Sequence, residues 1–526
     1  MTTVAIDFGT SNTVVSILES DTQLPKTLRF PNLSSLFVGV SAEGERLEIP
    51  VIPSLLYIKS DHQVILGAGV RSQRLGLSQS YPPERLFKKF KRDLAGDYQP
   101  PARHIEGINY DSLGVSELFI QRIWTEIKKQ NIQPSHLIFT VPVGAFERYL
   151  DWFRSLGEKL NVPQVSVIDE STAAALGYAV KHPGALILVV DFGGGTLDLS
   201  LVRTVANASE NLRAEVLAKS EAYTGGEDID VWIVEDYLRS QNLTTEQVGK
   251  ISYQNLLEIA ERLKIQLSRN ESVAESWFDD ESFMSYELKI TRKKLEEILE
   301  YRQFLQQLRD ALDEVLGFAL RKGFAKNDIE QVLLVGGSCL IPAVQQIIIS
   351  YFGKNKVKLN KPFDAVCHGA LAVRQFTEID DFLRHSYAIR LWDAYSKSYT
   401  YHCLFAQGTK YPCESDGWLN LQVANHGQRE ICLDIGELGA MAQTEIAFDA
   451  SGRMTSSNLQ YQECYRSLDS QHQQVCVAKL NPPGEARVDR ISVLFYVDSR
   501  RILLATVKDL LTGEILVDRG EIYKLR

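Results

Sequence analysis

Up to about Thr377 the chain alternates two kinds of apolar pattern. Segments such as "SHLIFTVPV", "ALILVVDF" and "IEQVLLVGG" are short, continuous and rich in β-branched residues, as buried strands are. Between them, "VSELFIQRIWTEIKKQ" and "SYQNLLEIAERLKIQLS" repeat apolar residues at helical spacing. Strands alternating with helices predict an α/β region. From about His385 the pattern changes. "YTYHCLFAQ", "WLNLQVAN", "REICLDIG", "TEIAFDASG", "RISVLFYVDS" and "RILLATVKDLLTGEILVD" read as strands and turns with little helix between them. Regularly spaced strands of this kind predict a β-sandwich. The segment "FTEIDDFLRHSYAI", Phe376 to Ile389, reads as the junction. The expected division is residues 1–377, a linker over 378–388, and residues 389–526.

Composition narrows this picture without changing it. The chain has 526 residues, too many for one core, with 44% hydrophobic and 24% charged residues. A formal net charge of −10 disfavours general binding to nucleic-acid backbones, because no excess of cations is present to displace counterions. One basic run, "RLFKKFKRDLAG" (Arg85 to Gly96), is expected to be a solvated helical face. The start "MTTVAIDF" lacks signal-peptide features, and no apolar run is long enough to span a membrane. Seven cysteines without a CxxC pair predict neither a zinc site nor a disulfide framework, and a cytoplasmic setting is expected.

One sentence is written twice. "AIDFGTSNTVV" and "VVDFGGGTLDLS" each run strand, Asp-Phe-Gly, small or hydroxylated residues, strand. In the first, the turn at Gly9, Thr10, Ser11 and Asn12 leaves backbone N–H groups and hydroxyls outward, a cradle for phosphate oxygens. In the second, Gly193, Gly194 and Gly195 bare the backbone and Thr196 adds a hydroxyl. Asp7, Asp191 and Asp198 are hard carboxylates of the kind that hold hydrated Mg²⁺. A single such turn is commonly structural. Two predict homologous half-domains clamping one polyphosphate between them. No GxxxxGK[ST] loop is present, and "GAGVRS" (Gly67 to Ser72) lacks the third glycine of a dinucleotide fingerprint.

Three further stretches suit the same ligand. "LLVGGSCLIP" ends a strand at Gly336, Gly337 and Ser338, where bare glycines admit a nucleoside face. In "EIAERLKIQLS", Glu261, Lys264 and Ser268 share one helical face and could hold ribose and base, or Glu261 and Lys264 could simply pair along the helix. Leu256, Ala260, Leu263 and Leu267 form the adjoining apolar stripe. "VIDESTAAALGYA" puts Glu170 at a strand end, before a helix of small residues that can pack closely. Glu170 there orients water or metal, or serves as a helix-start acid.

These stretches, in this order, resemble the actin-like ATPase domain of DnaK-type, seventy-kilodalton heat-shock chaperones. "YTGGEDID", with Gly225 and Gly226, and "IPSLLYI" match as well. The resemblance implies a duplicated, ribonuclease H-like ATPase domain followed by an all-β sandwich, with ATP or ADP and Mg²⁺ as ligands. It implies Asp7 and Asp191 on the metal, through water, and phosphates on Gly9, Thr10, Ser11, Asn12, Gly193 to Gly195 and Thr196. It puts Gly225, Gly226, Glu261, Lys264, Ser268, Gly336, Gly337 and Ser338 around the nucleotide. The implied catalytic set is Glu170, Arg71, Asp7, Asp191 and Thr196.

The chain departs from that family at several points. Arg71 stands where the family has its catalytic lysine, and Leu340 where it has an arginine against adenine. Ser166 replaces a basic residue that meets J-domain partners, and "DDFLRHSYAI" is a poor copy of the linker. The chain also ends after its last predicted strand, where the family continues into a helical lid. The expected function is therefore an ATP-binding chaperone. It couples Mg-ATP binding and slow hydrolysis, on a weak ATPase, to binding of unfolded or partner polypeptide, with a nucleotide-exchange factor as a further partner. The alternative is a non-enzymatic, ATP-gated scaffold that holds a dedicated partner through its β-domain. A sugar kinase of the same superfamily would leave the β-domain without a role.

Overall fold

The structure, a computed structural model, describes residues 2–19, 22, 24–40, 46–95, 100–142, 147–179, 184–206, 212–222, 224–279, 283–359, 362–372, 383, 386–393, 398–406, 409, 411–448, 454–468, 475–498 and 501–525. It divides into two compact units, Met1–Glu378 and Ile379–Arg526. Most of the expected linker lies outside the described residues. No described helix is long and apolar enough to cross a membrane.

The first unit is mixed α/β. One sheet has the order Gln164–Asp169, Pro134–Val141, Thr2–Phe8, Asn12–Leu18, Arg46–Pro53, Ser35–Val40, with Pro25–Thr27 beside Asn12–Leu18. A second has the order Leu212–Ala222, Leu197–Ala206, Leu186–Phe192, Gln331–Val335, Val357–Lys358. Each of the two similar sentences becomes a hairpin at its sheet's centre. Thr2–Phe8 pairs antiparallel with Asn12–Leu18 and parallel with Pro134–Val141. Leu186–Phe192 pairs antiparallel with Leu197–Ala206 and parallel with Gln331–Val335. These strands are apolar on both faces because both faces are covered: the neighbours Ala5 and Ile6, and Leu188 and Val189, are all buried.

The two sheets share a core. Ala5, Ile138 and Ile168 from the first meet Ile187, Val189 and Val335 from the second, through the helices Glu170–Ala179 and Ala365–Ala372. Both helices are rich in alanine and glycine. Their closeness explains the small residues: a Cβ on Gly369 would lie 1.8 Å from the Ala173 carbonyl oxygen. The helix Lys250–Leu267 buries Leu256, Ala260, Leu263 and Leu267 completely, the stripe its periodicity predicts.

Among its described residues the second unit has two five-stranded sheets. Ser386–Asp393, Ser398–Phe405, Gln428–Phe448, Met454–Ser467 and Val475–Gly484 form one. Cys413–Glu414, Leu419–Gln422, Asp489–Val497, Ile502–Asp509 and Ile515–Lys524 form the other. Tyr387, Ile389 and Leu433 from the first share a core with Val493, Phe495 and Val507 from the second. "REICLDIG" and "TEIAFDASG" are not separate strands as expected. The first and the described part of the second, Thr444–Phe448, belong to one strand of 21 residues, Gln428–Phe448, which runs on through Gly436 and Gly439.

Candidate functional site

The strand Thr2–Phe8 delivers Asp7 to its C-terminal end, and Leu186–Phe192 delivers Asp191 to the corresponding place. Thr140, in register with Asp7 on the parallel neighbour, donates its hydroxyl to Asp7 Oδ1 at 2.8 Å. Asp191 faces Asp198 directly across its hairpin, and Asp198 accepts from Thr196 Oγ1 at 2.7 Å. Glu170 begins its helix right after the strand Gln164–Asp169. Lys91, only 6% exposed, donates to Glu170 Oε1 at 2.9 Å.

The electrostatics bind these groups into one cluster. Asp191 is raised well above the ordinary carboxylate range by burial first, then by the charges of Glu170, Asp198 and Asp7. Lys91 is shifted the other way from what its burial alone would give. Glu170, Tyr149 and Asp7 hold it charged, so its pKa is raised. Asp7 is pushed up to about 6 by burial and then by Glu170, against the opposing pull of Lys91 and the Thr140 hydroxyl.

The Asp7 shift has a measurable consequence. A carboxyl raised in the folded state binds its proton more tightly folded than unfolded. Its stabilising contribution is complete below about pH 4 and is lost as the pH rises through about 6. Without divalent cations, going from about pH 7 to about pH 5 is expected to stabilise the fold through Asp7 by about 1 kcal/mol. Urea unfolding of the wild type and Asp7→Asn at both pH values checks this. The difference between them should shrink by that amount in the variant.

The two turns meet each other. A Cβ on Gly194 would fall 1.8 Å from Ser11 Oγ, so the second turn can lie against the first only as bare backbone. Thr10 lies against Gly195, and Asn12 opens the second strand of its hairpin. Gly9 offers its carbonyl to Ser54 Oγ at 2.7 Å. Gly193 N–H donates to Thr196 O at 3.1 Å, closing its turn. The helix Gly226–Ser240, capped by Gly225, then packs its N-terminus on that turn. Gly226 N–H reaches Gly193 O at 3.1 Å and Glu227 N–H reaches Gly194 O at 3.0 Å. Ser11 Oγ donates to Glu227 Oε1 at 2.6 Å.

The expected nucleoside residues lie on the same rim. Gly336 has φ of 83°, a left-handed conformation that favours glycine, and Gly337 packs against the Phe363 ring. Ser338 Oγ donates to Gly193 O at 2.8 Å. Lys264 Nζ donates to Gly226 O at 2.5 Å and pairs with Asp230 at 2.7 Å. Glu261 accepts from Arg71 Nη2 at 2.7 and 2.8 Å. Glu261 and Lys264 thus take partners from other elements rather than only each other. Burial would raise the Glu261 carboxyl, but Arg71 and Lys264 outweigh it and hold it below the usual range. Ser268 is the C-cap of its helix, where Arg292 takes its carbonyl at 3.3 Å. Ser166 shares a hydrogen bond of 2.9 Å with His136 on the adjacent strand.

Arg71, which the resemblance puts in the catalytic set, pairs with Glu261 and lies in the field of Glu258 and Asp230, while Lys91 is the cation paired with Glu170. One expectation needs correction. The basic run from Arg85 is not a solvated face. Phe87, Phe90 and Leu94 anchor it in the core, and its cations reach acids far away in sequence. Lys88 pairs with Glu258 at 2.7 Å, Lys89 with Glu227 at 3.1 Å and Arg92 with Asp228 at 3.6 Å. Residue spacing alone missed Lys91, Thr140, Glu227 and Asp230. For Lys91 a signal was present: positions 87, 90, 91 and 94 fall at i, i+3, i+4 and i+7, so Lys91 sits within an apolar stripe. A cation there is buried and needs an acid.

The donor set suits a hydrated hard divalent cation. Asp7 and Asp191 share one buried ammonium with Glu170, and Asp198 faces Asp191, so negative charge is in excess, and the raised Asp7 and Asp191 report it. The bared turns beside them suit anionic oxygens.

The Hsp70 protein family profile matches residues 160–378. The chaperone protein DnaK of Stenotrophomonas maltophilia is 27% identical over 399 residues, which are 70% of this chain and 58% of that protein. The chain therefore spans less than two thirds of the length of the curated relative it matches. The match covers the Glu170 helix, the second turn and the Gly336-Gly337 turn. Over residues 160–378 the chain carries a match to the Hsp70 family, and over 399 residues it is similar to a DnaK chaperone.

Proposed function

We propose that the chain is an ATP-dependent molecular chaperone, in which Mg-ATP binding and slow hydrolysis on a duplicated actin-like unit are coupled to polypeptide binding by the β unit. One observation carries this reading: two Asp-Phe-Gly turns from separate sheets touch at Ser11 and Gly194, beside a cluster of acids around Lys91. When bound, the magnesium would neutralise phosphate charge and orient the γ-phosphoryl group. The residues' own parts follow from their chemistry. Asp7 and Asp191 would hold the ion's water shell. The turns at 9–12 and 193–196 would offer N–H groups and hydroxyls to phosphate oxygens. Glu170 would accept a hydrogen bond from water near the γ-phosphate, and Lys91 would hold Glu170 in place. Glu261, Lys264 and the 336–338 turn would frame the nucleoside.

Lys91 gives this reading the cation that Arg71 cannot supply while it pairs with Glu261. Single-turnover ATP hydrolysis by the full chain, with and without an unfolded peptide, tests it. Slow hydrolysis that changes with peptide supports the chaperone. Tight ATP binding without hydrolysis, in the presence of peptide or not, moves the assignment to a nucleotide-gated scaffold. Phosphoryl transfer to a sugar would reject both.

A further inference from the structure

Cysteine is ordinarily a core residue. Cys339 and Cys367 behave this way and are fully buried. Cys432 and Cys476 do not. Cys432 lies between Ile431 and Leu433, each 4% exposed and inward, and so takes the outer face of its sheet. Cys476 is exposed and is its direct partner in the antiparallel ladder. Glu430, two residues before Cys432, is exposed on the same face. One donor atom from each of the three, two Sγ and a carboxylate oxygen, lie within 4.8 Å of one another.

We propose that Glu430, Cys432 and Cys476 form a binding site for a thiophilic divalent cation of the zinc class. Zinc takes thiolate sulfur at about 2.3 Å and carboxylate oxygen at about 2.1 Å, so tetrahedral donors sit about 3.5–3.8 Å apart. The three donors need to draw together by only about 1 Å to enclose an ion, with water in the fourth position. The sulfurs select a soft or borderline metal over Mg²⁺ or Ca²⁺. Two thiolates and a carboxylate exceed the ion's charge by one. Lys479, opposite Glu430 in the ladder and exposed, supplies the compensating positive charge. Binding releases two protons. One is the proton that Cys476 now donates to the Ala478 carbonyl at 3.6 Å, and the other comes from Cys432. The ion would clip the strand Val475–Gly484 to Gln428–Phe448 beside the register shift between Ile431 and Cys432.

The test uses the full chain, kept reduced, with Cys403, Cys413 and Cys464 replaced by serine so that the signal is confined to this pair. Cd²⁺ titration should give thiolate-to-metal charge-transfer absorption that saturates at one ion, and Zn²⁺ should displace it. Cys476→Ser and Cys432→Ser should each weaken binding at least 100-fold, and Glu430→Gln about 10–100-fold, with unchanged circular dichroism. Metal should also protect both thiols from alkylation. No saturable absorption at micromolar Cd²⁺, or a saturable signal that survives both serine substitutions, overturns the proposal.

Discussion

Lys91→Met is expected to reduce single-turnover ATP hydrolysis about 100- to 1000-fold and to destabilise the nucleotide-free protein by about 3–5 kcal/mol. The first figure is the usual effect of removing one preorganised electrostatic group from a reacting centre. The second is the cost of breaking a buried ion pair and leaving its acids uncompensated. Lys91 is the cation in contact with Glu170, and its charge also acts on Asp7 and Asp191. Without it Asp7 and Asp191 would take up protons more readily. The destabilisation should therefore be smaller at about pH 5 than at about pH 7. Lys91→Arg separates folding from chemistry. It keeps the charge, so much of the stability should return, but its planar fork does not reproduce a compact ammonium and turnover should stay low. Arg71→Lys is the control and should change turnover only a few-fold, because its charge is used on Glu261. A Lys91→Met protein that folds and hydrolyses ATP at the wild-type rate would remove Lys91 from the site.

Asp191→Asn should push stability and function in opposite directions. Asp191 faces Asp198 across the hairpin and is raised by burial and by three neighbouring acids. An amide of the same shape removes that repulsion, so the metal-free protein should be as stable as the wild type or more so. Mg²⁺-dependent ATP binding should weaken about 10- to 100-fold, the usual effect of disturbing a metal's supporting carboxylates. Urea unfolding without metal and ATP titration with Mg²⁺ read the two effects separately. Loss of stability together with unchanged Mg²⁺ dependence would show that Asp191 is a structural acid.

The turns were legible because their chemistry is local. Asp, Phe, Gly and a hydroxyl within a few positions fix a strand end and a bared turn whatever the rest of the chain does. The small-residue helix after Glu170 was legible for the same reason: its alanines and glycines announce close packing, which Ala173 and Gly369 carry out. Spacing could mark Lys91 as buried but not name its partner Glu170, 79 residues away, and a row of cations usually means solvent. The partner of Arg71 was hidden for a related reason. Alignment with a lysine fixes a backbone position, but Glu261, 190 residues on, decides where the side chain goes. In the β unit, alternation identified strand material but not its limits. Gln428–Phe448 runs on through Gly436 and Gly439, so a 21-residue strand read as two. The meeting of Cys432 and Cys476 depends on strand register, which the sequence between them does not state.

The central claim is that two turns from separate sheets clamp one Mg-nucleotide. Isothermal titration of the full chain with ATP, with Mg²⁺ and with EDTA, tests it most directly when repeated on Gly194→Val, whose side chain must enter the space held by Ser11 Oγ. The account predicts one site in the wild type, at least about tenfold weaker in EDTA. It predicts loss of that site in a Gly194→Val protein that retains its circular dichroism. Equal affinity with and without Mg²⁺, or an unchanged site in Gly194→Val, would contradict it.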